Sequence, residues 1–439
     1  MSAAPAAPGA AAADFEALLR RVFTRSDALF AAIRCDAMAM RPITLRHPLL
    51  FYLGHLPAFA YNQIVRGVLG GAHLDPELDV LFERGIDPKD EASAAAATLS
   101  SWPSLESVLA YRDAARQAVL RSIPAVLARS QDVLGQKGRV LHLVAEHELM
   151  HHETMMYLLQ ECPDGVFELP ASEPVASDGD GRPATPIAIA AGPTELGASF
   201  DELEFGWDNE FGREPREVPA FVLDSLPVRN RDWLDFLSAT SQPVDLLDPS
   251  HALWPQTFVR TQQGLAVKTV FGPMAMEQAA GWPVQVTGVQ ARAYCTWRGG
   301  RLPTEAELHR AAFTTPDGSR RPHPWGAEPP DASRGVFDFA QWRPAATGNR
   351  PDGASAWGVE ELVGNGWEWT GSVFAPLAGF APYARTYPGY SADFFDGDHD
   401  VVFGASWATD CKLLRPSFRN WYRRSYPFAF TSFRVARDL

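Results

Sequence analysis

The segment 140–160 constrains this chain most. It is apolar enough to be buried, yet it carries His147-Glu148-Leu149-Met150-His151-His152-Glu153 at its centre. A helix through it sets His147 and His151 one turn apart on one face, the separation that two ligands of one metal ion need. One helix supplies only two such ligands. The candidate for the third is His55, an imidazole set among the apolar residues of 51–59. Three neutral imidazoles with open positions suit iron or zinc. A His-x-x-x-His pair alone is more often solvated or capped than metal-binding, and it is His55 and the nearby Glu153 that tilt the reading toward a metal. Glu153 reads either as a partner that orients a ligand imidazole or as a carboxylate ligand itself.

Helical periodicity extends well beyond this segment. Phe15, Leu18, Leu19, Val22 and Phe23 recur at helical spacing, and Leu105, Val108, Leu109 and Val119 continue it. Four long segments emerge, at 14–34, 48–70, 104–133 and 138–160, which is the signature of a four-helix bundle with the metal candidates on its second and fourth helices. The stretch 74–101, broken by Pro76, Gly85 and Pro88, is expected to wrap the outside of the bundle. Residues 1–13 are expected to form a flexible tail and not a signal peptide, because they lack a positive stretch. The composition shift to Pro, Gly, Ser and Asp near 171–183 marks a linker. The expected division is a tail 1–13, a bundle 14–165, a linker 166–185 and a second domain 186–439. That second domain has short β-prone runs, many turns and three brief helices, near 230–237, 288–298 and 304–312, in a loop-rich α+β pattern.

Charge and cysteine usage exclude other classes. A net charge of −14 without any basic tract argues against a nucleic-acid surface. Cys35, Cys162, Cys295 and Cys411 are far apart and fit neither a disulfide framework nor a zinc ribbon. Reduced thiols in a cytoplasm are the expectation. No stretch of the sequence is apolar for long enough to span a membrane.

The second half carries an ordered set of motifs: Phe205-Gly-Trp-Asp-Asn-Glu210, Pro283-Val-Gln-Val-Thr-Gly288, Gly300-Arg-Leu-Pro-Thr-Glu-Ala-Glu307, Gly364-Asn-Gly-Trp-Glu-Trp-Thr370, Gly404-Ala-Ser-Trp407 and Phe433-Arg-Val-Ala-Arg437. Together these resemble the formylglycine-generating-enzyme fold, which is related to C-type lectins. The resemblance implies a pair of copper-binding cysteines, but Thr409 and Leu414 stand in their places. A helical bundle with His-x-x-x-His-x-Glu and an upstream Leu-Gly-His, joined to such a domain, resembles the nonheme-iron synthases that use O2 to join sulfur or selenium to C2 of a histidine-derived imidazole. That resemblance implies a DinB-like bundle holding Fe(II) through His55, His147 and His151. Three imidazoles leave three positions on a six-coordinate iron for the reactants.

The branch is narrowed by departures. The stretches 45–55 and 102–112 look closer to ovothiol synthases, which usually continue into a methyltransferase domain, whereas this sequence stops at Leu439. Ergothioneine synthases that take γ-glutamylcysteine carry arginines where this chain reads Thr98-Leu-Ser-Ser-Trp102, and often a Tyr where it has Leu377. Those losses suit a neutral selenosugar donor, so the resemblance implies the selenoneine branch, with ergothioneine or ovothiol chemistry as the alternative. It also implies that Asn420, Trp421 and Tyr422 hold hercynine, with Tyr422 the catalytic candidate and Met150 and Trp102 further substrate contacts. Trp367 and Trp369 read as core residues. A DinB-like metal-dependent thiol transferase, and a lectin-like binding scaffold without catalysis, are the readings from other classes. The expected partners are small molecules only: hercynine, a selenosugar or thiol, and O2, with neither nucleic acid nor membrane.

Overall fold

The computed structural model describes residues 8–83, 102–169, 179–240 and 251–439. The chain divides into two compact units, Met1–Ser172 with Tyr383–Pro388, and Glu173–Pro382 with Gly389–Leu439.

The first unit is the expected helical bundle. Its helices are α1 (Pro8–Ala31), α2 (Leu49–Tyr61), a short α3 (Pro76–Glu83), α4 (Leu105–Leu127) and α5 (Arg139–Gln160). Helix α1 starts inside the expected tail, because Pro8 has the preset φ of a first helical residue and the run Ala10 to Ala13 has the highest helix propensity. Ser104 caps α4 by accepting from the Ser107 backbone N–H at 3.1 Å. Helix α2 is buried on every side, as its near-absence of polar residues dictates. It continues into a π-helical stretch, Asn62–Val68.

Two expectations about connecting segments are sharpened. Residues 76–83, expected on the outside of the bundle, form α3, whose Phe82 is fully buried on α2 while Glu77, Val80 and Glu83 stay exposed. The buried Asp79 carboxylate anchors this helix, accepting from the Tyr111 hydroxyl at 2.7 Å, from the Leu74 backbone N–H at 3.1 Å, and pairing with His73 Nδ1 at 2.9 Å. Residues 84–101, which include most of the cation-free stretch at 98–102, lie outside the described residues. The linker also begins later than 166. Arg34 N–H donates to the Val166 carbonyl at 3.0 Å and Glu168 N–H to the Ala32 carbonyl at 2.9 Å, so this strand-like stretch belongs to the bundle.

The second unit is loop-rich, with the three brief helices where the sequence puts them: α6 (Asn230–Thr240), α8 (Gly288–Trp297) and α9 (Glu305–Phe313), besides one turn of helix, α7 (Met276–Ala279). Thr287 and Thr304 close capping boxes with Gln290 and Glu307, fixing where α8 and α9 begin. A four-stranded sheet in the order β10-β9-β8-β11 is built from Gly366–Val373 (β8), His399–Ala405 (β9), Asn420–Arg423 (β10) and Thr431–Ser432 (β11). A second sheet, β1-β4-β12 (Pro186–Ile189, Phe221–Asp224 and Ala436–Asp438), pairs the start of the unit with its end. The remaining strands form two antiparallel sheets, β2-β3 (Gly192–Leu196 and Glu214–Val218) and β5-β6-β7 (Phe258–Thr261, Gly264–Thr269 and Gly272–Ala275). Trp233, Trp282, Trp367, Trp369 and Phe433 form its main core, so Trp367 and Trp369 are core residues as expected. A fully buried ion pair, Arg434 with Glu368, ties the last motif to the Trp-Glu-Trp strand. Among the described residues, no helix is long and apolar enough to cross a membrane.

Candidate metal centre

Helices α2 and α5 bring His55, His147 and His151 together so that one nitrogen from each lies within 4.8 Å of the others. This is the only such cluster of His, Cys, Asp or Glu among the described residues. His147 and His151 meet because they are one turn apart on α5. His55 is aimed at them by its own backbone partner: its Nδ1 lies 2.7 Å from the Phe82 carbonyl. That hydrogen bond requires a protonated Nδ1 and leaves Nε2 as the lone-pair nitrogen. Nε2 is buried with no hydrogen-bond partner. Residue 54 must be small for this to happen, because a Cβ on Gly54 would overlap the Phe82 ring.

Aromatic rings wall the cluster. Phe59, one turn after His55, stacks on His147 with centroids 3.5 Å apart and planes 9° from parallel. Phe51, one turn before it, stacks on His55 at 5.1 Å. Tyr52 lies 5.7 Å from His151. Tyr387, from the 383–388 segment that packs with the bundle, meets Phe59 edge-on at 5.2 Å and His147 at 6.3 Å. Burial removes the solvent that would favour imidazolium: it pulls His55 down to about 4, against the opposing pull of the Phe82 carbonyl. His147 and His151 are driven well below the usual histidine range, first by burial and then by the neighbouring imidazoles. All three are therefore neutral, the state in which imidazole coordinates a metal. Convergent neutral nitrogens, one of them buried without a partner, fit a divalent transition ion.

Of the other expected residues, Glu153 lies outside the cluster. Two positions beyond His151 is 200° around a helix, which points it away from the ligand face. The Phe82 carbonyl fills the orienting role for His55 in its stead. Trp102 meets Phe51 edge-on at 6.3 Å and so touches the wall of the site, not the cluster itself. Met150 is half-buried on α5, about 60° around the helix from His147.

Asn420, Trp421 and Tyr422 form strand β10 of the second unit, and strand alternation puts Trp421 on the opposite face from Asn420 and Tyr422. Trp421 stacks on Phe374 at 4.1 Å and meets Tyr390 edge-on at 5.3 Å, while Tyr422 stacks on Tyr426 at 5.4 Å and packs against the main core. The side chain of Asn420 accepts from the Trp421 backbone N–H at 2.9 Å. Thr409 and Leu414 are buried, and Leu414 joins an apolar cluster, so the thiol pair of formylglycine chemistry has no counterpart there. Phe51 and Phe59 were legible as neighbours of His55 at helical spacing. The Phe82 carbonyl and Tyr387 left no local signal.

Fold and site define a class: a three-imidazole cluster able to hold a metal ion in a helical bundle, carried by a chain whose second half is a loop-rich α+β domain. Residues 18–155 match the DinB superfamily, and residues 172–439 match the sulfatase-modifying factor enzyme 1-like domain. The hercynine oxygenase of Mycolicibacterium thermoresistibile is 32% identical over 422 residues, which cover 90% of this chain and 88% of that protein. That of Mycolicibacterium smegmatis is 35% identical over 317 residues, covering 68% and 71%. Ergothioneine biosynthesis protein 1 of Neurospora crassa is 27% identical across 92% of this chain, which spans only 55% of the length of that relative. The chain belongs to the hercynine oxygenase family of ergothioneine-type biosynthesis.

Proposed function

We propose that this chain is an Fe(II)- and O2-dependent oxygenase that joins a chalcogen to C2 of the hercynine imidazole. The observation that carries the proposal is the neutral His55–His147–His151 cluster, with His55 and His147 buried and His151 half-buried, in a member of this family. Iron held by His55, His147 and His151 would supply O2 activation and a common centre for the reactants. The chain's own residues do the rest. The Phe82 carbonyl holds His55 in the tautomer that presents Nε2. Phe51, Phe59 and Tyr387 wall the cluster against water, which keeps the imidazoles neutral. Asn420 and Tyr422, which share a strand face, are the proposed hercynine contacts, with Tyr422 the catalytic candidate; Trp421, on the opposite face and stacked on Phe374, drops out of that set. Met150 and Trp102 are further proposed substrate contacts.

Sulfur is the chalcogen that the relatives support, since the similar proteins are hercynine oxygenases and an ergothioneine biosynthesis protein. A selenosugar donor is the second reading, and one observation favours it. Leu377 stands where ergothioneine synthases often place a Tyr, and its side chain is buried against Gly197 and Gly212, so no hydroxyl is available there. A selenolate ionises more readily than a thiol and needs less help from an acid–base group. The test gives anaerobically iron-loaded protein hercynine and O2 with γ-glutamylcysteine, cysteine or a selenosugar in turn, reading products by mass spectrometry. Faster consumption of the peptide or cysteine establishes the sulfur reading, and faster consumption of the selenosugar the second. No consumption of hercynine with any donor rejects the proposal.

A further inference from the structure

One angular step around α5 from the ligand face lies a second buried polar array. Glu148 follows His147 and His152 follows His151, each about 100° further around the helix, and the two are themselves one turn apart. Ser26 of α1 bridges them. Its hydroxyl donates to the Glu148 carboxylate in a short hydrogen bond and lies 2.7 Å from His152 Nε2, which requires the imidazole to donate in return. Arg116 of α4 donates to the same carboxylate at 3.2 Å and reaches Asp27 of α1 at 2.6 Å. The Arg116 guanidinium also lies 4.6 Å from the Phe23 ring centroid. Ser26, Glu148 and His152 are each at most 1% exposed.

Such an array is an expensive way to join helices. Burying a carboxylate, an imidazole and a hydroxyl gains less than burying apolar side chains of equal volume, unless the groups fix a geometry that apolar packing leaves loose. The geometry at stake is the rotation of α5 about its axis. A ligand nitrogen about 5–6 Å from the axis moves about 2 Å for a 20° turn, whereas metal–ligand distances tolerate only about 0.2 Å. Apolar side chains at a helix interface do not define rotation that tightly, but directional hydrogen bonds from two other helices do.

We infer that Ser26, Glu148 and His152, with Arg116 closing the array from α4, are positioning residues for the metal centre: they lock the rotation of α5 so that His147 and His151 converge on His55. The inference rests on the metal-centre reading above. It concerns residues that touch neither metal nor substrate.

The test measures Co(II) affinity of the full chain by chelator competition, together with the visible absorption bands that report cobalt geometry. Ser26→Ala should weaken Co(II) binding by about 10- to 100-fold, the usual effect of removing a group that orients metal ligands, and should alter the bands, with far-ultraviolet circular dichroism unchanged. Ser26→Thr, which keeps the hydroxyl, should restore most of the affinity. Val22→Ala, one turn earlier on α1 and equally buried, should lower the melting temperature while leaving the bands as in the parent. If Ser26→Ala does not fold, Glu148→Gln carries the same expectation. Parental affinity and bands in the array variants would overturn the inference, as would an equal loss in Val22→Ala at matched stability. Parental Co(II) binding by His55→Ala would instead reject the metal centre itself.

Discussion

Individual residues set the state of this site through the shape of their neighbours. His55 was legible because an imidazole in an otherwise apolar run has few structural reasons to be there. What holds it was not: a backbone carbonyl carries no sequence signature, and Phe82 is 27 positions away. Gly54 is the residue that lets the two meet. Gly54→Ala should push the Phe82 ring aside, costing roughly 1–3 kcal/mol of stability as other overpacked cores do, and should weaken metal binding because the carbonyl moves with the ring. Thermal unfolding and metal titration on the same sample check both; an unchanged metal affinity would mean that the Phe82 carbonyl does not set the orientation of His55. Glu153 taught the converse lesson. Its proximity in sequence suggested a place beside the ligands, but helical rotation turns it away from the face that carries them.

At the scale of elements, the long helices follow from their periodicity, and α8 and α9 from their capping boxes. The errors fell where tertiary contacts override local pattern. Pro and Gly made 74–101 look peripheral, and α3 does keep an exposed face, but no local pattern told that Asp79 and Phe82 fasten it to the bundle. Nothing local marks 383–388 as part of the first unit either. It is fixed there by Arg385, which pairs with Asp132 at 2.7 Å across 253 positions of sequence, and by Gln63 of the π-helical stretch, which donates to the Thr386 carbonyl at 3.1 Å. The hydrogen bond from Arg385 is the main influence holding the Asp132 carboxyl below its usual range. A lowered pKa in the folded state means that this pair contributes stability above the ordinary carboxylate range and loses it as pH falls. Both partners are partly exposed, so the contribution is no more than about 1 kcal/mol. Arg385→Ala should therefore lower the melting temperature slightly at neutral pH, and the difference from the parent should vanish in acid. A difference that persists or grows in acid would show that the pair is not what fastens this segment.

For the whole molecule, helical periodicity was sufficient to read the bundle, and the ordered motifs of the second half carried the resemblance that implied a formylglycine-enzyme-type domain. The proposed substrate stretch was less legible. Asn420, Trp421 and Tyr422 are adjacent in sequence, but a strand sends neighbours to opposite faces, so adjacency did not amount to a shared surface. The donor is the least legible feature, since sulfur and selenium make similar demands on a pocket and differ chiefly in ionisation. The proposed chemistry therefore depends on the three histidines. The most direct measurement is the iron content per chain of anaerobically reconstituted parent and His55→Ala protein, with O2-dependent hercynine consumption followed in the same samples. The parent should hold one iron and consume hercynine, and His55→Ala should remain folded, hold little iron and be inactive. Full iron occupancy in His55→Ala would contradict the account.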